Sequence, residues 1–212
     1  FFTIIVADKK LKKEEIKNKY DLHAKWYDLG SIILGLFISR KRKKLLENAN
    51  RKVLEIGIGT GINLKYYPKN CHITGIDLSG EMLKKAEQKA IKLGLKVKLI
   101  TGDAENLPFK NREFDTVADT LGLCTYPNPI KALKEMRRVC KKNGKILLLE
   151  HGISNNKFIS KLQRKSEKTH YKKAGCSLLR NHIKNIDKAG LRVEEFKRAL
   201  HGILYIIKAK PN

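Results

Sequence analysis

From residue 51 to residue 151 the chain alternates short apolar runs with longer segments whose apolar residues recur every three or four positions. Runs of this kind bounded by glycine, proline or charge read as buried strands, and the three-to-four spacing reads as amphipathic helix. Strands are therefore predicted at Arg51–Ile56, His72–Ile76, Lys96–Ile100, Phe114–Thr120 and Ile146–Leu149. Helices are predicted at Ile62–Tyr67, Ser79–Leu93 and Lys131–Cys140. Strand and helix in alternation predict an α/β fold, a parallel sheet covered on both faces. Ahead of it, Leu11–Tyr27 has helical spacing, and Ser31–Ile38 is an apolar run abutting Arg40-Lys41-Arg42-Lys43-Lys44. Behind it, Asn155–Tyr171 is polar and basic with Phe158, Ile159 and Leu162 as its apolar side. Leu179–Ala189 reads as a helix closed by Gly190, and Leu191–Leu200 with Ile203–Ala209 as an antiparallel hairpin. The expected division is an N-terminal arm and helical cap over 1–50 and a seven-stranded, doubly wound, mostly parallel sheet domain over 51–212, its last strand antiparallel.

Composition changes this picture in a few places. At 212 residues and 42% hydrophobic, the chain can bury a proper core. Phe1–Ala7 is apolar but for Thr3 and is followed by Asp8-Lys9-Lys10. It reads as the tail of a membrane anchor with a basic flank, a packed arm, or what a cleaved presequence leaves. Ser31–Ile38 is too short to span a bilayer. It either lies on an anionic membrane surface or covers the core with its basic end in solvent. The net charge of +25 invites an anionic partner, nucleic acid or membrane, yet Lys is scattered through every segment as a general compositional bias would scatter it. The denser regions are Arg40–Lys44 and Lys157–Lys173. Cys71, Cys124, Cys140 and Cys176 form no C-x-x-C pair and no histidine stands at zinc spacing, so no metal is expected. Few, scattered cysteines suit a reducing compartment such as cytosol or mitochondrial matrix.

The chemistry concentrates at Val53-Leu54-Glu55-Ile56-Gly57-Ile58-Gly59-Thr60-Gly61 and, one strand later, Thr74-Gly75-Ile76-Asp77. Glycines after a strand let backbone turn tightly against a ligand, and the two oxygens of a carboxylate on the next strand match the vicinal hydroxyls of a ribose. The pattern is E-x-G-x-G-x-G, not G-x-G-x-x-G, and fits a ligand without a pyrophosphate. These residues resemble the first two motifs of class I S-adenosylmethionine (SAM) methyltransferases, which are Rossmann-like. The resemblance implies that Gly57, Gly59 and Gly61 border the cofactor and that Asp77, with Leu78 beside it, holds the ribose. Glu55 takes the methionine ammonium or organises the turn. Free N–H groups opening the Ile62 helix suit the methionine carboxylate, and Met82 faces the ligand. Gly102-Asp103-Ala104-Glu105-Asn106-Leu107-Pro108-Phe109 resembles the third motif, in which Asp103 accepts from the adenine amine and Ala104 offers a backbone N–H. Asp119 and Thr120, ending the fourth strand, belong where the methyl group lies.

Tyr20-Asp21-Leu22-His23-Ala24-Lys25-Trp26-Tyr27-Asp28 is similar to the N-terminal signature of the UbiE-like quinone methyltransferases, which implies that Tyr27 touches the cofactor or, with Tyr20, packs the cap. The run from Asp119 to Gly152 resembles the Oms-type branch of that family, anchored in the mitochondrial inner membrane. Bacterial phosphatidylethanolamine N-methyltransferases and membrane thiol methyltransferases are its neighbours. Asn143 stands where a turn proline is usual. The resemblance implies methyl transfer from SAM, leaving S-adenosylhomocysteine, to a small-molecule or lipid acceptor. It also implies a mitochondrial location, at the inner membrane or matrix side, with the cytoplasm as the alternative. A carbon or oxygen acid needs a general base, for which His151, Asp119 and His23 are candidates. An amine or thiol needs only alignment and desolvation. Two further readings stand beside this one. An RNA- or ribosome-associated methyltransferase suits the charge, although no N/D-P-P-Y/F and no Pro-Cys is present. A non-catalytic structural subunit of a larger mitochondrial assembly would retain the fold alone.

Overall fold

Strands that are apolar on both faces can be stable only between two layers of helix. The computed structural model has that architecture. It describes residues 11–212 and, within them, the side chains outside 23–37. In chain order the elements are α1 (Lys13–Leu46), β1 (Lys52–Ile56), β2 (His72–Asp77), α2 (Gly80–Lys92), β3 (Val97–Thr101), β4 (Phe114–Thr120), α3 (Pro129–Val139), β5 (Cys140–His151), α4 (Lys157–Ala174), α5 (His182–Lys188), β6 (Leu191–Ala199) and β7 (Leu204–Pro211). The sheet order is β3-β2-β1-β4-β5-β7-β6. β1 to β5 are parallel, and β7 runs antiparallel between β5 and β6. The order reverses between β1 and β4, where ligands of such sheets sit beyond the carboxyl ends.

Alternation along each strand feeds two cores. Leu54 and Ile56 of β1, Val117 of β4 and Ile146 and Leu148 of β5 pack on one side with Leu133 and Met136 of α3 and Ile186 of α5. Val53, Ala118, Leu147 and Leu149 pack on the other with Leu83 and Ala90 of α2 and with Ile38, Leu45 and Leu46 of α1. The carboxyl end of α1 thus shares a core with the sheet.

Several elements differ from the sequence expectation. From Lys13 on, the Leu11–Tyr27 segment lies with Ser31–Ile38 in one 34-residue helix. No proline interrupts it, and Gly30 and Gly35 cost only about 1 kcal/mol each in a helix interior. Within the basic cluster, Arg40, Lys43 and Lys44 are exposed but Arg42 is buried and donates to Asn63 Oδ1 at 3.1 Å. No helix among the described residues is long and apolar enough to cross a membrane. The Ile62–Tyr67 helix is reduced to a 3-10 turn, Leu64–Tyr66. Gly61 is left-handed on one side, and Pro68 drives Tyr67 to an extended backbone on the other. That leaves no helix N-terminus of the kind expected to receive a carboxylate. β5 begins at Cys140 rather than Ile146, because Cys140 pairs with Phe114 before a register shift. The polar 155–171 segment is the 18-residue α4, capped by Asn156 and ended by left-handed Gly175. Residues 1–10, which hold the anchor-like run, and the side chains of His23 and Tyr27 lie outside the described residues.

Candidate active site

A cleft of about 820 Å³, open in part to solvent, lies over the carboxyl ends of β1, β2 and β4. Its first half is made by the β1 and β2 turns. Gly57 and Gly59 have φ of +61° and +56°, a region closed to most side chains. A Cβ on Gly57 would come within 2.8 Å of the Tyr126 hydroxyl, whereas one on Gly59 would meet only a backbone oxygen, at 3.9 Å. Gly59 therefore keeps the cleft itself clear. Gly61, also left-handed, lets the turn close on Leu64 and Ala86. Asp77 accepts from Gly59 N at 2.8 Å and from Ser79 N at 2.9 Å, one bond to each oxygen, so each keeps capacity for a ligand hydroxyl. Burial raises its pKa, against the Ser79 and Gly59 bonds. Leu78, Met82, Asp103, Ala104 and Thr120 also line this cleft.

Glu55 does not line it. Its side chain turns toward the α1 face, where Oε1 accepts from Asn63 Nδ2 at 2.6 Å, and Asn63 in turn reaches Thr120 Oγ1 at 2.7 Å. Burial pushes its pKa up to about 7, opposed by Asn63, Tyr67 and Arg42. Glu55 thus ties Asn63, just after the glycine turn, to the sheet. Lys13, Ile16, Lys17 and Tyr20 of α1, the expected cap helix, cover the cleft. Lys13 Nζ holds Asp103 Oδ2 at 2.6 Å and Glu105 Oε2 at 2.8 Å, and Asp21 accepts from the Ser79 hydroxyl. The opposite charges of Lys13 and the acidic third motif are both visible in the sequence, but their meeting depends on the angle of α1.

The second half is made of side chains after β4. Gly122 N donates to Asp119 Oδ1 at 2.9 Å and to Glu150 Oε1 at 3.2 Å, and the Tyr126 hydroxyl donates to Asp119 Oδ2 at 2.8 Å. Both carboxyls are wholly buried. Burial raises Asp119 to about 6, and burial with the Asp119 charge beside it raises Glu150 well above the ordinary carboxyl range. Asp119 therefore reaches the cleft through Gly122 and Tyr126, the latter a lining residue the sequence did not single out. His151 does not line the cleft. It lies behind the wall with Cys124 and Cys176, one donor atom of each within 4.8 Å of the others. The Cys124 thiol, then His151 and His170, hold the Cys176 thiol down at about 4.

A family model described as a methyltransferase domain matches residues 54–148. The mitochondrial methyltransferase OMS1 of Saccharomyces cerevisiae is 32% identical over 195 residues, which cover 82% of this chain and 41% of that protein. A phosphatidylethanolamine N-methyltransferase of Cereibacter sphaeroides is 39% identical over 102 residues, 47% of this chain and 50% of that enzyme. The chain thus spans half or less of the length of these two relatives. The uncharacterized protein MJ1123 of Methanocaldococcus jannaschii is 33% identical over 82% of both chains. Among solved structures, the [4+2]-cyclase SpnF superposes with a TM-score of 0.76 over 95% of this chain and 97% of its own, at 16% identity, a likeness of fold alone.

Proposed function

This chain belongs to the methyltransferase domain family of SAM-dependent enzymes, and from that premise we propose that it methylates a small or lipidic acceptor, quinone-like or phospholipid, at a mitochondrial membrane surface. The observation that carries the reading is the pair Gly59 and Asp77: a Cβ would fill the first, and the second keeps acceptor capacity on both oxygens. The residues therefore fit SAM, with Asp77 toward the ribose, Asp103 and Ala104 toward the adenine, and Gly57, Gly59, Leu78, Met82 and Thr120 against the rest. When bound, SAM supplies a methyl group activated by its sulfonium. The protein's part is alignment and exclusion of water. Lys13, Ile16 and Tyr20 close the cleft from above, and Tyr126, held by Asp119, fixes the acceptor wall.

Neither Asp119 nor His151, the two base candidates among the described side chains, lines the cleft, and an acceptor that needs no base suits that. A lipid amine meets that condition better than a quinone carbon. A lipidic acceptor also suits α4, whose Phe158 and Leu162 are 71% and 51% exposed among Lys157, Lys161, Arg164 and Lys165, an apolar and basic face of the kind that lies on anionic bilayers. The mitochondrial location rests on the name of the yeast relative.

Calorimetry with SAM and S-adenosylhomocysteine is the first test, with micromolar binding expected. Radiolabelled methyl transfer then follows in vesicles containing phosphatidylethanolamine, with a demethylquinone in parallel. Absence of cofactor binding in a folded sample would overturn the reading and favour a structural subunit. Labelling of RNA in place of either lipid would move it to the nucleic-acid class that the +25 charge suggests.

A further inference from the structure

The loop after β4, the end of β5 and the turn after α4 converge on one point behind the acceptor wall. Cys124, His151 and Cys176 meet there, their donor atoms all within 4.8 Å of one another. His170, on the last turns of α4, brings Nε2 to 3.2 Å from Cys176 Sγ. Bonds that use none of the sulfurs or rings of Cys124, His151, His170 and Cys176 hold the three segments. Left-handed Gly175 ends α4 and donates its N–H to Tyr171 O, so the chain turns back at Cys176. Ser177 N then donates to Cys124 O at 2.9 Å. Glu167 of α4 accepts from Ser177 Oγ at 2.6 Å and from Leu178 N at 2.8 Å. Beneath β5, His182 Nε2 bonds the His151 carbonyl oxygen at 2.9 Å.

Two thiols and an imidazole make a soft donor set, which selects a thiophilic cation over magnesium or calcium. A tetrahedral zinc with Zn–S of about 2.3 Å and Zn–N of about 2.0 Å keeps its donors roughly 3.5–3.8 Å apart, so side-chain movements of about 1 Å close the site. Two thiolates neutralise a divalent ion, and a neutral complex suits a site whose Cys124 is 1% exposed. We propose that Cys124, His151 and Cys176 bind one zinc ion, with His170 donating an N–H bond to the Cys176 thiolate and the fourth position left to water or an exogenous ligand. The ion clamps the cleft wall around Gly122–Tyr126 to the turn between α4 and α5. The absence of a C-x-x-C spacing argued against any metal; the structure assembles the donors from three separate segments instead.

Cobalt titration of the full, reduced chain tests this directly. One equivalent should saturate a thiolate-to-cobalt charge-transfer band, and zinc should abolish it. Cys124→Ser and Cys176→Ser should each remove the band, Cys71→Ser and Cys140→Ser should keep it, and His170→Ala should weaken zinc binding 10- to 100-fold. X-ray absorption of the zinc-loaded wild type needs no variant and should find two sulfur scatterers and one imidazole. A reduced, folded chain that takes up no cobalt overturns the proposal, even if Cys124 and Cys176 then join in a disulfide. A band that survives in the double serine variant, or a zinc environment without sulfur, overturns it equally.

Discussion

Across the cleft from one another stand a wall of backbone and a wall of side chains. On the β1–β2 side the surface is left-handed glycine, two backbone N–H groups tied to Asp77, and the Ser79 N-cap of α2. On the β4–β5 side it is Tyr126, backed by the buried Asp119–Glu150 pair and then by the cysteine–histidine cluster. The first wall needs only short-range order: a strand, three glycines, a second strand. The second needs groups from β4, β5 and the turn after α4 to meet. A cofactor common to a family suits the first kind of construction, because backbone contacts survive most sequence change. An acceptor particular to one enzyme suits the second.

The contrast can be broken most sharply at the base of the first wall. Glu55 titrates at about 7 in the folded chain because it is buried, above the ordinary carboxyl value, so the folded state binds its proton more tightly than the unfolded state. Its contribution to stability is fully present below about pH 4.5 and is lost as pH rises through about 7, a total of roughly 3 kcal/mol. Urea melts across that window should fall with pH for the wild type and fall by roughly 3 kcal/mol less in Glu55→Gln, the buried Asp119 and Glu150 carboxyls keeping their own share. Parallel curves for the two proteins would contradict the burial argument. Asp77→Ala should come next, weakening SAM by about 1.5–3 kcal/mol, or about 10- to 150-fold, by calorimetry; unchanged affinity would remove the ribose assignment. Tyr126→Phe deletes a bond to a buried carboxyl on the opposite wall and should cost about 1 kcal/mol of stability, a lower melting temperature by about 2–4 °C. Its effect on SAM affinity should be smaller than that of Asp77→Ala, and the reverse order would mean the two walls act as one. Lys13→Ala, which frees Asp103 from a half-exposed ion pair, should change SAM affinity by less than about 1 kcal/mol and mainly speed association in stopped flow.

Much of the first wall was legible. Gly57, Gly59 and Asp77 sit within one strand–turn–strand unit, and their place at the cleft follows from residue type and spacing. The strands were legible too, since a run such as Ile146–Leu149 has no polar face to offer solvent and must be buried on both sides. Helix ends were legible where a cap declares them, as at Ser79 and Asn128. The 3-10 turn at Leu64–Tyr66 was not, because two flanking constraints, Gly61 and Pro68, override an acceptable helical pattern.

Sequence alone determined the doubly wound sheet and the glycine–aspartate motifs, because each rests on periodicity or on residues a few positions apart. Tertiary structure alone decided that Glu55 turns away from the cleft, that Lys13 of α1 meets Asp103 and Glu105 over it, and that Tyr126 rather than His151 forms its far wall. It alone brought Cys124, His151 and Cys176 together. Those outcomes depend on which face of the sheet a strand residue meets and on the packing angles of α1 and α4, which are set by side chains distant in the chain and leave no local pattern in it.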